Sequence, residues 1–438
     1  MLITNLRIIT NDEKLGFIDN GAILVENGEI VEVGRNEDLI SKGKRDKGEE
    51  VYDGEGMFAI PGLINLHLNL NLAFLRSPLF IDRTEVLKRK RELKRRFEEI
   101  FTPDLLYVVS TFSALESLKN GVTTIVGSFV SKYEESHSAV KSAFENVGIR
   151  SVMGREICAD TTRDFKRHVE SDLSFHTKEP YSLYSIQIVL KPHNLLISRN
   201  LELLDSLLPT GVKFKFIMEC KEEKDEMISK YSVNPIDSLM KHEILSENFM
   251  LVPFSNLTED ELDSLASRNS NIVLTPRTNA MYGVKHTEMM GAIGRGINMG
   301  IGTGELDYNM VEEFRSFLVF QGDERFSPET SNLYEFITSA FRGGYRILEN
   351  ITGRKFGKIK PGYMADIVLL DAPELPNPRN EMIYRFMAFF LLKISNVKTV
   401  FVNGKKVIED GSLITTSQDE ILKETARIYD KLFRILMS

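Results

Sequence analysis

The stretch AIPGLINLHLNLNLAFLRS (59–77) sets His67, Leu68 and Asn69 just after an apolar run broken by Pro61-Gly62. A His-x-His in such a place would be a metal site, because two imidazoles two residues apart on a strand project to the same side. Here an asparagine stands second, and its amide is a neutral, weak ligand for zinc. Seven histidines in 438 residues leave few other candidates to complete a metal site. His137, His168, His176 and His286 fall in polar, helix- or loop-like segments and are expected at the surface.

Whatever chemistry these residues do must be positioned by a large scaffold. A length of 438 residues predicts a main domain with a smaller one beside it. The composition is ordinary for a globular protein, with 42% hydrophobic and 27% charged residues. A net charge of −8 argues against nucleic acid as the main partner. Two cysteines, Cys158 and Cys220, are too few for a disulfide framework. With no signal-peptide pattern at the start, a cytoplasmic location is expected. No run reaches the roughly 18–20 apolar residues of a membrane span, so no membrane partner is expected either.

Both ends of the chain read as short strands. GAILVENGEIVEVG carries a hairpin signal at Asn27-Gly28, and VKTVFVNGKKVIEDG (397–411) carries another at Asn403-Gly404. Between them, strand-like runs alternate with helical patterns: AIPGLINLH, GVTTIVGSF, IRSVMGREI, SIQIVLKPH, VKFKFIME, FMLVPFS, NIVLTPR and NMGIGTG. The pattern predicts an α/β protein: a (β/α)8 TIM-like barrel over 59–355, with a small β domain built from both chain ends, 1–58 and 356–416. The tail 417–438 predicts an amphipathic helix packed on the body.

Two stretches imitate other functions. TEVLKRKRELKRRFEEI (84–100) is strongly basic, but acidic residues interleave and no aromatics alternate with the charges, so it reads as a solvated helix face. GAIGRGINMGIGTG (291–304) imitates a phosphate loop, yet its glycines precede a strand rather than follow one.

GMFAIPGLINLHLNLNLAFLR resembles the opening motif of the amidohydrolase superfamily, in the branch of cytosine and S-adenosylhomocysteine deaminases and triazine chlorohydrolases. FGKIKPGYMADIVLLD (356–371), VFVNGKKVIEDG and LTEDELDSLASRNSNIVLTPRTNAMYG (257–283) resemble its later motifs in the correct order. Within it, SsnA-type aminohydrolases are similar through NVGIRSVMGREICADTTRD (146–164). The resemblance implies one zinc or iron ion at the C-terminal ends of the barrel strands. Its ligands there would be a His-x-His on strand one, a histidine of strand five and an aspartate of strand eight, with a further histidine at the end of strand six bound to the ion or beside its ligands. Bound water would be the nucleophile, with a glutamate in His-x-x-Glu carrying the proton.

Carried over residue by residue, that set is mostly gone. His67 remains; Asn69, Phe216, Pro253 and Gly304 occupy the other liganding positions, so the metal positions are vestigial and no metal cofactor is expected. Glu219 keeps the glutamate of His-x-x-Glu, and His193 keeps the substrate-contacting histidine of VLKPHNLLIS. A one- to three-residue slip would bring Glu305 or Asp307 into the strand-eight role, and His242 or Asn256 lie near strand six in sequence. The expectation is a metal-free member binding a small polar or heterocyclic ligand through His67, Asn69, His193 and Glu219. The alternative is an active hydrolase or deaminase of non-peptide carbon–nitrogen bonds, by a relocated metal or by Glu219/His193 acid–base chemistry. A homodimer, or service as the inactive subunit of an oligomer, is the remaining expectation about partners.

Overall fold

The computed structural model describes the chain apart from residues 44–49, 76–82, 157–161, 176–181, 219–220, 254–256, 283, 285–288, 321–332, 381–382 and 438. Eight parallel strands form the body, each hydrogen-bonded to the next in chain order. They are Leu63–Asn69, Val122–Phe129, Arg150–Arg155, Tyr184–Leu190, Lys213–Met218, Phe249–Pro253, Asn271–Leu274 and Asn298–Ile301. Helices fill the connections, among them Arg83–Ile100 and Pro103–Lys119 after strand one and Leu333–Thr352 after strand eight. The ring is joined through Gly304, whose N–H donates to His67 O at 2.7 Å while its carbonyl accepts from Asn69 N at 2.9 Å. The barrel expected from the alternating pattern is therefore the observed fold.

Side-chain alternation sorts the strands into two cores. Leu66, Val126, Val152, Val189, Ile217, Val252 and Val273 fill the barrel, closed at one end by Tyr345, Leu348 and Ile351 of the last helix. Leu68, Ile125, Met153, Leu190, Phe216 and Leu251 face the surrounding helices instead.

The two chain ends share one nine-stranded sheet in which Phe58–Pro61 lies between Leu2–Ile9 and Ile367–Leu370. Both expected hairpin turns form, with positive φ at Asn27 (50°), Gly28 (83°), Asn403 (51°) and Gly404 (69°), the left-handed pairing that a two-residue turn between twisted strands requires. One expectation is corrected: AIPGLINLH is not one strand. The chain breaks at Gly62, leaving Phe58–Pro61 in the β domain and starting the barrel at Leu63. A side chain at Gly62 would put its Cβ 2.2 Å from Thr123 Oγ1, so only glycine passes from sheet to barrel here. Arg150, opening strand three, ties the two parts together through Asp366 Oδ1 at 3.0 Å and through Asn403.

The tail forms the helix Gln418–Met437. It packs on the barrel helices through the Tyr429 and Phe74 rings, 6.0 Å apart, and through the Tyr429 hydroxyl, which donates to Leu75 O at 3.3 Å. No described helix is long and apolar enough to cross a membrane.

Candidate functional site

Glu156 follows strand three and turns into the barrel mouth, buried to 1% exposure. Its two oxygens collect four donors. Asn69 Nδ2 and Ser128 Oγ each reach Oε1 at 2.7 Å, and the Lys94 and Lys191 ammonium groups reach Oε2 at 2.5 and 2.8 Å. All four partners are themselves buried. Lys191 directly follows strand four, whereas Lys94 comes down from the helix Arg83–Ile100. The basic helix read as a solvated face thus needs correcting at this residue: Lys94 is 4% exposed and holds the helix to the floor of the mouth. The missed signal was Phe97 three residues on, which with Lys94 makes an inward stripe at helical spacing.

Below this group lies Lys215, fully buried, donating to Leu66 O at 2.9 Å and Val126 O at 3.2 Å across the barrel. Strand one is irregular between Asn65 and Leu68, where its pairing with strand two shifts register, and Leu66 O in that stretch accepts from the lysine. Burial lowers the Lys215 ammonium to about 7, against the opposing pull of Glu156. His67 is buried beside these cations. Burial first, and then the charge of Lys215, hold its imidazole well below the usual histidine range, with Glu156 pulling the other way. Its Nδ1 has no hydrogen-bond partner among the described residues.

Arg155, one residue before Glu156, points the opposite way and is equally buried. It pairs with Asp172 Oδ1 at 3.0 Å and donates to Tyr133 O at 2.8 Å. His137 completes this outer network, with Nδ1 2.7 Å from the Tyr184 hydroxyl and Nε2 3.3 Å from Asp172 Oδ1. Burial pushes the Asp172 carboxyl up, but His137 and Arg155 outweigh it and leave it below the usual range. Consecutive residues anchored outside and inside the strand fix where the Glu156 carboxylate sits. His137 and His168, expected at the surface, are buried here: His168 Nδ1 lies 3.3 Å from Arg155 Nη1.

The remaining sequence candidates separate. Phe216 packs outward with Leu190 and Leu251, so it lines no site; the residue of strand five that enters the barrel is its neighbour Lys215. The physical reason is the two-residue alternation of VKFKFIME, which puts the lysines and the phenylalanines on opposite faces. Pro253 ends strand six, its carbonyl accepting from Asn279 Nδ2 at 3.5 Å. Gly304 has φ +66°, and a Cβ there would meet Thr278 Oγ1 at 2.6 Å, so any side chain at this position is strained. Asp307 forms a two-pronged pair with Arg277 at 3.0 and 2.7 Å, and Glu305 accepts from the Tyr282 hydroxyl at 2.6 Å. His242 sits on Asp205 at 3.0 Å. His193 is exposed on the short 3-10 turn Pro192–Leu196. Glu219, Asn256, His176 and His286 lie outside the described residues. Among the described residues, no three His, Cys, Asp or Glu side chains gather into a metal-holding group.

Comparison with known proteins follows the same outline. A 5-methylthioadenosine/S-adenosylhomocysteine deaminase of Pyrococcus furiosus is 28% identical, covering 98% of this chain and 100% of its own. One of the same description from Halothermothrix orenii is 25% identical over 98% of this chain and 99% of its own. Among solved structures, an adenosine deaminase from Xanthomonas campestris with bound zinc superposes with a TM-score of 0.84 at 18% identity, covering 99% of this chain and 98% of its own. Atrazine chlorohydrolase from Arthrobacter aurescens complexed with zinc gives 0.79 at 21%, covering 98% and 99%. The sequence profile of the amidohydrolase family matches residues 58–407, about four-fifths of the chain, and by that match this chain belongs to the amidohydrolase family.

Proposed function

We propose that this chain works at its barrel mouth without a bound metal, holding a small polar or heterocyclic molecule against the lysine–glutamate centre. The observation that carries the reading is the shared carboxylate: Lys94 and Lys191 both end on Glu156 Oε2, beside His67 and above Lys215. A catalytic zinc needs about three good protein donors. The described residues around His67 offer one imidazole, an amide whose nitrogen is turned to Glu156, and ammonium groups, which only donate. The Glu156 carboxylate already takes four donors. This set does not fit zinc or iron. Charge acts in the same direction: at an effective dielectric of about 20, a unit positive charge ~5 Å from a divalent ion opposes it by roughly 7 kcal/mol.

What the site suits instead is a ligand with hydrogen-bonding edges. Buried ammonium groups donate to carbonyl or ring-nitrogen lone pairs, and the unpartnered His67 Nδ1 can donate or accept according to its tautomer. Titration calorimetry against purines, pyrimidines, triazines and guanidino compounds tests the reading. Saturable binding without turnover, unchanged by chelator and weakened in Glu156→Gln, supports it.

A second reading rests on the curated relatives, deaminases that align along 98% of this chain. On that reading the chain hydrolyses a non-peptide carbon–nitrogen bond, through a relocated metal or through Glu219 and His193. Turnover of any of these compounds that is abolished in Glu219→Ala favours it over the first.

A further inference from the structure

A cleft of about 470 Å³ opens at the other end of the barrel from Glu156, between the last barrel helix and the sheet made by the chain ends. Its place is fixed by Tyr345, which lines it and whose hydroxyl donates at 3.1 Å to the carbonyl of Gly62, the residue that enters strand one. The barrel-mouth reading makes no use of it.

The lining is rich in cations. Lys14, Arg342, Arg346, Lys358 and Lys360 face three carboxylates, those of Asp12, Glu13 and Glu349. The carboxylates are already engaged. Asp12 Oδ2 takes both Lys358 at 3.1 Å and Lys360 at 3.0 Å. Glu13 pairs with Arg342 at 2.8 Å from a side chain that is 78% exposed, a contact that solvent weakens. Glu349 accepts from Phe356 N at 3.2 Å. Lys14 and Arg346 have no ion pair among the described residues. An excess of two positive charges therefore remains on the walls of a concave site, a sign that suits an anion.

The spacing of the cations narrows the class. Arg342 and Arg346 are one helical turn apart, so both guanidinium forks stand on the same face of the helix. Lys358 and Lys360 are two residues apart on the facing segment and reach one carboxylate oxygen. The two pairs stand on separate elements of the same cleft, so an anion with several phosphate groups has a cationic partner on each wall. Guanidinium forks match phosphate oxygens two at a time, and lysines add point charge.

The walls are also held in place. Ile359 N donates to Thr10 O at 2.9 Å, and Asn11 Nδ2 to Gly357 O at 2.6 Å. Gly357, at φ +80°, lies against the Tyr345 ring so closely that a Cβ would come within 2.1 Å of it.

We propose that this cleft binds an oligophosphate, either free or as the phosphate chain of a nucleotide. Titration calorimetry of the full chain with inorganic tripolyphosphate and, separately, with ATP tests it, at constant ionic strength. The expected result is saturable binding of tripolyphosphate, weakened about tenfold or more in Arg346→Glu and in Lys14→Glu. Both residues are exposed, so the fold is expected to tolerate the changes. Lys423→Glu, a charge reversal on the exposed face of the tail helix, should leave the affinity unchanged. ATP binding more tightly than tripolyphosphate would identify a nucleotide as the source, and equal affinity a free phosphate chain. No saturable heat up to about 10 mM of either probe overturns the proposal, as does an affinity that Arg346→Glu and Lys14→Glu leave alone or that Lys423→Glu lowers equally.

Discussion

Lys94 and Lys191 share one carboxylate oxygen: Glu156 Oε2 lies 2.5 Å from the first ammonium and 2.8 Å from the second. One lysine belongs to a helix above the barrel and the other to the end of a strand, so the carboxylate joins the cover of the mouth to its floor. Replacing Glu156 with glutamine keeps the shape and removes the charge that both ammonium groups share. Breaking a buried pair from one side costs about 3–5 kcal/mol. Urea unfolding of Glu156→Gln should show a loss of that order, and a loss under about 1 kcal/mol would mean the contact contributes little.

Lys215 gives the fold a pH signature on the alkaline side. Its folded value of about 7 lies below the ordinary lysine value because of burial. Between those two values the unfolded chain binds the extra proton, so stability rises with pH, by up to about 1.4 kcal/mol per unit from this residue. In Lys215→Met that rise should disappear, and the protein should be more stable near pH 7 than the parent. Denaturation midpoints at pH 7, 8 and 9, compared between the two proteins, would expose a wrong sign.

Much of the fold was legible in the sequence because it rests on local patterns. The hairpins at Asn27-Gly28 and Asn403-Gly404 need positive φ, which those residue pairs tolerate. The barrel followed from apolar strands alternating with helices. The site was less legible. His67 and Asn69 stood out because a histidine pair has a known spacing, whereas Glu156 had to be found by burial. In GREIC the Arg155-Glu156 pair reads as a polar strand end, and nothing local says that both charges are buried, one outside the barrel and one inside. Lys215 was visible in principle: VKFKFIME alternates lysine with phenylalanine, and a barrel strand has no solvent face on which to leave the lysines. Alignment by residue type chose Phe216 for the inward position, and register reversed it.

Gly304 offers a direct test of whether the turn after strand eight tolerates an acidic side chain. Gly304→Asp would add a Cβ 2.6 Å from Thr278 Oγ1 on a backbone at φ +66°. A cost of about 1–3 kcal/mol is expected for the strain, with no gain in zinc binding by calorimetry. Thermal denaturation checks the first and zinc titration the second; a variant that binds zinc tightly would show that the position still faces a usable donor set.

On the acid side the relevant residue is His67, whose folded value is depressed by burial and then by Lys215. A depressed histidine stabilises the fold above its unfolded value of about 6.5, and that contribution is lost as pH falls through and below it. His67→Gln should therefore lose less stability than the parent between pH 7 and pH 5. Equal losses in the two proteins would place the acid sensitivity elsewhere, His168 being the next depressed histidine.

The central proposal is that the lysine–glutamate centre works without a bound metal. Its most direct test is elemental analysis of protein expressed with added zinc and iron and purified without chelator. The account predicts well under one equivalent of either metal per chain, unchanged in Glu156→Gln. One equivalent of zinc or iron that stays through gel filtration, and that falls in His67→Gln, would contradict it.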